Sequence, residues 1–446
     1  MENSISQDFK LSSLIIFTIP SMIMMIFMAL YSIVDGVFIS RFINTDALSA
    51  FNVIYPFINL VIGIGVMLAS GGSAVIAKKL GESRTDEARQ NFTLIIITGF
   101  VVGVVIGIIG YIFLDKIIYL LGSTDDLYRY CQYYLIMSLV FIPSYIMNLL
   151  YQILTITAGK PKVGLILTVI GGVSNIILDY IFISQINMGI LGAALATGMG
   201  NFIPSVLGTL YFIKNKETLY FVKPKFELDV LSKACMNGSS EMVTNLATGI
   251  TTMLFNIAMM NYLGSDGVAA MSIVLYGQFL VTSVYIGFSS GVAPVISYNY
   301  GEQNRKQLRK IIKYSAIFIS IISLVSYAIS MLLASNIVGI FSSIGSNVYD
   351  IGYNGFTIFG TSFLITGVNI FASSMFTAFS NGKVSATISF FRTFIFIVGG
   401  ILILPKFMRV NGIWISVPLA EILTMIISIS YIYKYKNNYG YGRSIG

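Results

Sequence analysis

Apolar residues run in long blocks along this chain, and polar ones gather in short clusters between them. The blocks, of about 20 residues or more, recur over the whole length, and each can cross a ~30 Å hydrocarbon core as a helix. Taking clusters of charge, Gly, Asn and Pro as loops predicts twelve spans, at 12–40, 47–75, 92–114, 131–153, 163–184, 190–213, 238–262, 268–296, 312–334, 352–379, 385–405 and 412–433. No soluble domain of useful size is left between them.

Composition agrees with that pattern. Of 446 residues, 56% are hydrophobic and 10% charged, with mean hydropathy +0.83. A soluble domain carries about 25% charged residues, so the expectation is an all-α integral membrane protein. The N-terminus MENSISQDFK lacks a basic region and a small-residue cleavage site, which argues against a removed signal peptide. A net charge of +8 suggests nucleic acid only until the basic residues are located. They lie in short loops. With the N-terminus inside, 21 of the 27 Lys and Arg residues fall on the cytoplasmic side, five fall outside, and Arg392 is within a span. That bias places both termini in the cytoplasm of a multi-pass plasma-membrane protein. Cys131 and Cys235 then sit on opposite sides and cannot bridge. The chain has no histidine, which excludes HExxH zinc sites, His-activated nucleophiles and His proton relays.

The chain repeats itself at an offset of 220 residues. TDALSAFNVIYPF from Thr45 aligns with SDGVAAMSIVLYG from Ser265, and LGESRTDEARQ from Leu80 with YGEQNRKQLRK from Tyr300. Identical pairs include Asp46/Asp266, Gly71/Gly291, Gly81/Gly301, Glu82/Glu302 and Arg89/Arg309. Six spans intervene, so matched loops lie on one side and the repeats are parallel. This predicts a six-helix lobe over 1–213, a cytoplasmic linker over 214–236, a second six-helix lobe over 237–446, and a central cleft between the lobes. Such an architecture suits alternating access, and would also suit a flippase or a scaffold.

Polar residues inside the spans are the candidate chemistry. Asp35 is the only formal charge in the stretch from Leu14 to Ser40. An ionised group in hydrocarbon costs several kcal/mol and is functional by default. It lies roughly 8 Å from the outer end of the first span, at 1.5 Å per residue. Asp179 is at a similar depth in the fifth span, with Asn175 four residues earlier on the same face. Thr197 is roughly 10 Å into the sixth. Taken singly, Asn175 and Thr197 read as helix–helix hydrogen bonds. Together the four residues put two carboxylates, an amide and a hydroxyl at one depth, a set of hard oxygen ligands suited to Na⁺ or to trapping a proton. Glu241 reads as near the cytoplasmic start of its span, reaching interfacial water. Arg392 and Glu421 lie within about 6 Å in depth and read as a structural ion pair. Pro20, fifteen residues before Asp35, marks a hinge or a static kink.

The strings YSIVDGVFISRFINTDALSA, NIILD and GILGAALAT, with the twelve-span repeat, make this chain resemble the MATE (multidrug and toxic compound extrusion) family over nearly its whole length. That resemblance implies a cation-coupled antiporter, driven by H⁺ or Na⁺, exporting amphipathic and often cationic compounds, antibiotics among them. It implies that Asp35, Asn175, Asp179 and Thr197 form the cation site, as in the DinF-type branch, with Pro20 linked to bending of the first helix. The NorM-type branch places working acids in its seventh and tenth helices; the tenth span here has none. No cofactor is expected beyond the coupling ion. The expected partners are small amphipathic organic substrates and membrane lipids, not nucleic acid, and the expected state is a monomer. Two alternatives stand beside this reading. A lipid-linked oligosaccharide flippase tends to carry several basic residues in its cavity, and only Arg392 lies deep here. A membrane-embedded enzyme would need a catalytic constellation, and neither intramembrane Lys nor a GxGD-like context is present.

Overall fold

The computed structural model describes residues 5–43 and 45–442; Arg443, one of the 21 inside charges, lies outside them. The described residues form helices and no strand. The spans are α1 (Leu11–Phe42), α2 (Thr45–Gly81), α3 (Thr85–Ile112) and α4 (Asp125–Thr157). They continue with α5 (Pro161–Asp179, running on as a π-helical turn Tyr180–Gln185) and α6 (Gly189–Lys214). The helix Leu228–Gly301 has 74 residues, or roughly 110 Å, far more than one crossing. It breaks at Gly264, whose φ of 65° and ψ of −152° leave the helix, into α7 (228–263) and α8 (265–301). Then come α9 (Arg305–Leu332) and α10, formed by Asn347–Gly360 and Phe363–Ala378 with a 51° bend between them. α11 comprises Gly382–Phe390, a π-helical turn Phe391–Ile397 and Val398–Ile403; α12 is Val410–Tyr435. The helix begins at Leu228, within the 214–236 stretch that the sequence sets apart as a linker.

The backbone carries the repeat as clearly as the side chains do. Short helices Leu114–Leu120 and Ala334–Phe341 follow α3 and α9 at the 220-residue offset. So do left-handed residues: Ser83 (φ 60°) with Gln303 (φ 59°), and Gly189 (φ 59°) with Arg409 (φ 50°). Three of those four are not glycine, so the turn geometry itself is duplicated. The segments trailing each repeat dock alike. Arg89 Nε donates to Thr218 O at 3.2 Å, and Arg309 Nε to Gly440 O at 3.0 Å.

Large apolar side chains on α3 and α9 remain exposed, among them Phe100, Ile108, Ile112, Ile321, Leu324 and Leu332. An apolar belt of this kind fits lipid rather than water. The lobes meet where α2 packs on α7 and α8, and where α1 packs on α8. At the end of the bundle that carries the termini, backbones touch. A Cβ on Gly81 would lie 2.0 Å from Tyr298 O, and one on Gly301 would lie 2.2 Å from Lys78 O, the same contact made twice about the pseudo-two-fold axis. Further along, a Cβ on Gly238 would be 2.0 Å from Met67 O.

Because carbonyl oxygens cannot rotate away as side chains do, Gly81→Val and Gly301→Val should each cost about 1–3 kcal/mol. Gly399→Val is the control, since nothing lies within 4 Å of the added carbon. Thermal unfolding of purified protein should show lowered midpoints for the first two and an unchanged one for the third. Equal midpoints would remove the packing argument.

Candidate functional site

Three helices of the first lobe converge because small residues let them. A Cβ on Gly200 of α6 would meet Asn175 Cβ of α5 at 2.8 Å, and one on Gly172 of α5 would meet the Phe27 ring of α1 at 2.5 Å. With α1, α5 and α6 drawn together, Asp35 and Asp179 become direct neighbours. Asp179 is fully buried, Asn175 is 3% exposed, and Asp35 is partly buried.

Their hydrogen bonding is incomplete in a patterned way. Asp35 Oδ1, both Asp179 carboxylate oxygens, Asn175 Nδ2 and Thr197 Oγ1 are buried and none has a hydrogen-bond partner. Two carboxyl groups side by side can share a hydrogen bond only when one of them holds a proton. Buried polar atoms left unsatisfied cost about 1–3 kcal/mol each, more for charged groups. Such a set is stable only with something positive among the oxygens. Two carboxylates and a hydroxyl fit a proton or Na⁺; among the described residues no group of three His, Cys, Asp or Glu exists to suit a transition metal.

Several residues that the sequence reading passed over complete this region. Tyr134, 3% exposed on α4, stands against both carboxylates and Thr197, and Tyr145 faces Asp35. Asn201 Nδ2 donates to Thr197 O (2.9 Å), and Asn148 Nδ2 to Asn201 Oδ1 (2.9 Å). Asn201 follows Thr197 by four residues, so helical spacing alone pointed to it. Nothing in the sequence aimed Tyr134 at the acids.

Pro20 is buried in α1, which stays helical through it. Its missing N–H falls where α1 crosses the second lobe: a Cβ on Gly287 of α8 would lie 2.7 Å from Ser21 O. Asp35 and the inter-lobe contact therefore share one helix.

In the second lobe, Arg392 Nε and Nη2 donate to Glu421 Oε1 at 2.9 and 2.6 Å. Asn369 of α10 donates to Glu421 Oε2 at 2.7 Å, and Ser428 donates to Asn369 Oδ1 at 2.9 Å. The tenth span, without an acid, answers Glu421 with an amide. Glu241 is thirteen residues inside its helix from Leu228, roughly 20 Å. It is partly buried and within electrostatic reach of Arg392. Cys131 and Cys235 are both free.

Residues 20–181 and 242–402 match the MatE family model. The chain is 24% identical over 402 residues to the multidrug export protein MepA of Staphylococcus saprophyticus, covering 89% of this chain and 86% of that protein. Among solved structures, a crystal structure of MATE in complex with MaL6 superposes with a TM-score of 0.92 at 20% identity, covering 98% and 99% of the two chains. The outward-facing conformation of a multidrug resistance MATE family transporter of the MOP superfamily superposes at 0.91 and 21% identity, covering 97% of each.

The Arg392–Glu421 contact makes a folding prediction. Neutralising either partner orphans a buried charge, at about 3–5 kcal/mol, and should lower folded yield. Replacing both by apolar residues of similar volume should recover much of it. A double variant no better than the worse single one would show that the two are not partners.

Proposed function

The chain belongs to the MatE family, and from that premise we propose that it is a multi-pass plasma-membrane exporter of amphipathic organic compounds, drugs among them, coupled to H⁺ or Na⁺. It is a transporter and not an enzyme. The reading rests above all on one observation: Asp35 and Asp179 are neighbours, with Asp35 Oδ1 and both Asp179 oxygens buried and unpartnered, an arrangement that favours a bound proton or cation. Asn175 and Thr197 complete the coupling site, in the manner of the DinF-type branch.

Mechanism follows from where those residues sit. When a cation or proton occupies the site, repulsion between the two carboxylates falls and α1 can draw toward α5. When it leaves, the repulsion returns. The same α1 carries the inter-lobe contact at Ser21 and the missing backbone donor at Pro20, so Pro20 acts as the hinge through which a change at Asp35 reaches the contact. In this reading both termini, and the end where the lobes abut, face the cytoplasm, and the exported compound leaves from the opposite end. Reloading the site favours opening at the other end. Na⁺ or H⁺ and the exported compound need not touch, because each biases one two-state arrangement of the lobes.

No P-loop of the form GxxxxGK[ST] occurs in the chain, so nucleotide is not required. Purified protein in liposomes should transport on an imposed pH or Na⁺ gradient alone; an absolute need for ATP would overturn this. Asp35→Asn and Asp179→Asn should each keep substrate binding while lowering gradient-driven transport at least tenfold. The double variant should be no worse than either, since one site has been broken twice. Full transport by Asp35→Asn would refute the coupling role.

A further inference from the structure

α9 departs from its repeat partner α3 at one end. At the 220-residue offset, Asp86, Gln90 and Thr93 of α3 correspond to Lys306, Lys310 and Lys313 of α9. Further along, Ile97, Val101 and Val104 correspond to Ile317, Ile321 and Leu324, so the apolar part is kept while the polar part turns basic. The surroundings differ as well. Beside the start of α3, Lys79 and Arg84 both pair with Glu87, and Arg89 pairs with Asp86. The linker covers Thr93, whose Oγ1 accepts from Val222 N at 3.1 Å. In α9, Gln307 stands where α3 has Glu87. Lys306, Lys310 and Lys313 are exposed, and among the described residues their side chains make no ion pair or hydrogen bond.

The six α9 residues share one face. At about 100° per residue, positions 306, 310, 313, 317, 321 and 324 fall within an arc of about 80°. Arg309 lies to one side of it, with its Nε turned to Gly440 O. Ile317, Ile321 and Leu324 are 38%, 55% and 63% exposed, and α9 buries less of itself than any other of the ten candidate spans among the described residues. Neighbouring like charges on a helix repel, and no carboxylate answers these three. From Lys313 to Leu324 is roughly 16 Å, about half of a ~30 Å hydrocarbon core. The face thus offers cations at one membrane surface and bare apolar side chains through the leaflet beneath, the polarity of a lipid with an anionic headgroup. Membrane orientation asks for basic residues on that side, but not for three on the very arc that continues into the lipid-facing stripe.

We infer that this face of α9 binds an anionic phospholipid, with Lys306, Lys310 and Lys313 holding the phosphate and an acyl chain lying along Ile317, Ile321 and Leu324. The first lobe, with Asp86 at the matching place and the linker over Thr93, has no such site, so the lipid belongs to one lobe. The inference depends on the chain spanning a membrane, and not on which compound it exports.

Native mass spectrometry of the full-length protein in detergent, titrated with phosphatidylglycerol or with phosphatidylcholine of the same acyl chains, counts bound lipids and gives a Kd for each. Wild-type protein should bind phosphatidylglycerol at least about tenfold more tightly. Lys306→Gln, Lys310→Gln and Lys313→Gln combined should bring the two lipids within about twofold of each other. Lys214→Gln, Lys216→Gln and Lys223→Gln combined remove the same charge from exposed linker positions and should leave the preference intact. Arg at 306, 310 and 313 keeps the charge and should keep the preference. Lys310→Gln alone, the mildest change, should weaken phosphatidylglycerol about threefold, and it carries the test if the triple variant does not fold. Glycerol phosphate, the headgroup chemistry without chains, should not displace the lipid. No preference in the wild type, an unchanged one in the variants at 306, 310 and 313, or an equal loss in the linker variant overturns the assignment. Displacement by glycerol phosphate overturns it too, leaving a phosphate site in place of a lipid site.

Discussion

Hydrocarbon does not solvate charge. A carboxylate inside a span must find a cation, a proton, a guanidinium or water, and the positions of the few intramembrane charges organise the rest of the molecule. Asp35, Asp179, Glu241, Arg392 and Glu421 are not scattered among the spans. Asp35 and Asp179 are neighbours, Arg392 pairs with Glu421, and Glu241 lies within electrostatic reach of Arg392.

The two lobes meet that demand in opposite ways. In the second, the compensating cation is part of the chain: Arg392 reaches Glu421 at 2.6 Å, and an amide from α10 closes the shell. Such a cluster needs no outside ion to balance Glu421. In the first lobe, among the described residues, no guanidinium pairs with the acids, and Asp35 Oδ1 and both Asp179 oxygens have no hydrogen-bond partner. In the proposed coupling role an ion or proton that comes and goes completes that shell. Both clusters sit where the fifth helix of the repeat widens into a π-helical turn, after Asp179 and around Arg392, a distortion frequent at functional positions. Duplication thus produced one scaffold with two electrostatic outcomes.

Glycine decides how the lobes touch. Gly81 against Tyr298 and Gly301 against Lys78 are one contact used twice, and neither tolerates a Cβ. Backbone contact is a surface two rigid bodies can leave and rejoin, which suits the alternating opening proposed for this chain. Arg89 and Arg309 fasten the linker and the C-terminal segment in the same manner, each to its own lobe. These straps follow their lobes rather than crossing the seam.

Much of this was legible in the residues alone. Block length and charge placement determined an all-helical membrane protein of twelve spans, because a bilayer admits few backbone solutions and tolerates few charges. The 220-residue offset determined two parallel repeats, and depth counting along ideal helices put Asp35, Asn175, Asp179 and Thr197 at one level. Depth, however, is one coordinate. Counting residues cannot say which way a helix is turned or what lies across a seam, so Tyr134 against the acids and Asn369 against Glu421 were invisible in it. Glu241, assigned by counting to interfacial water, also lies within electrostatic reach of Arg392, a neighbour that counting could not name. Periodicity along one helix is local information and survives in sequence. Rotation and closest approach between helices are set by packing against neighbours far along the chain, and only the tertiary structure decided them.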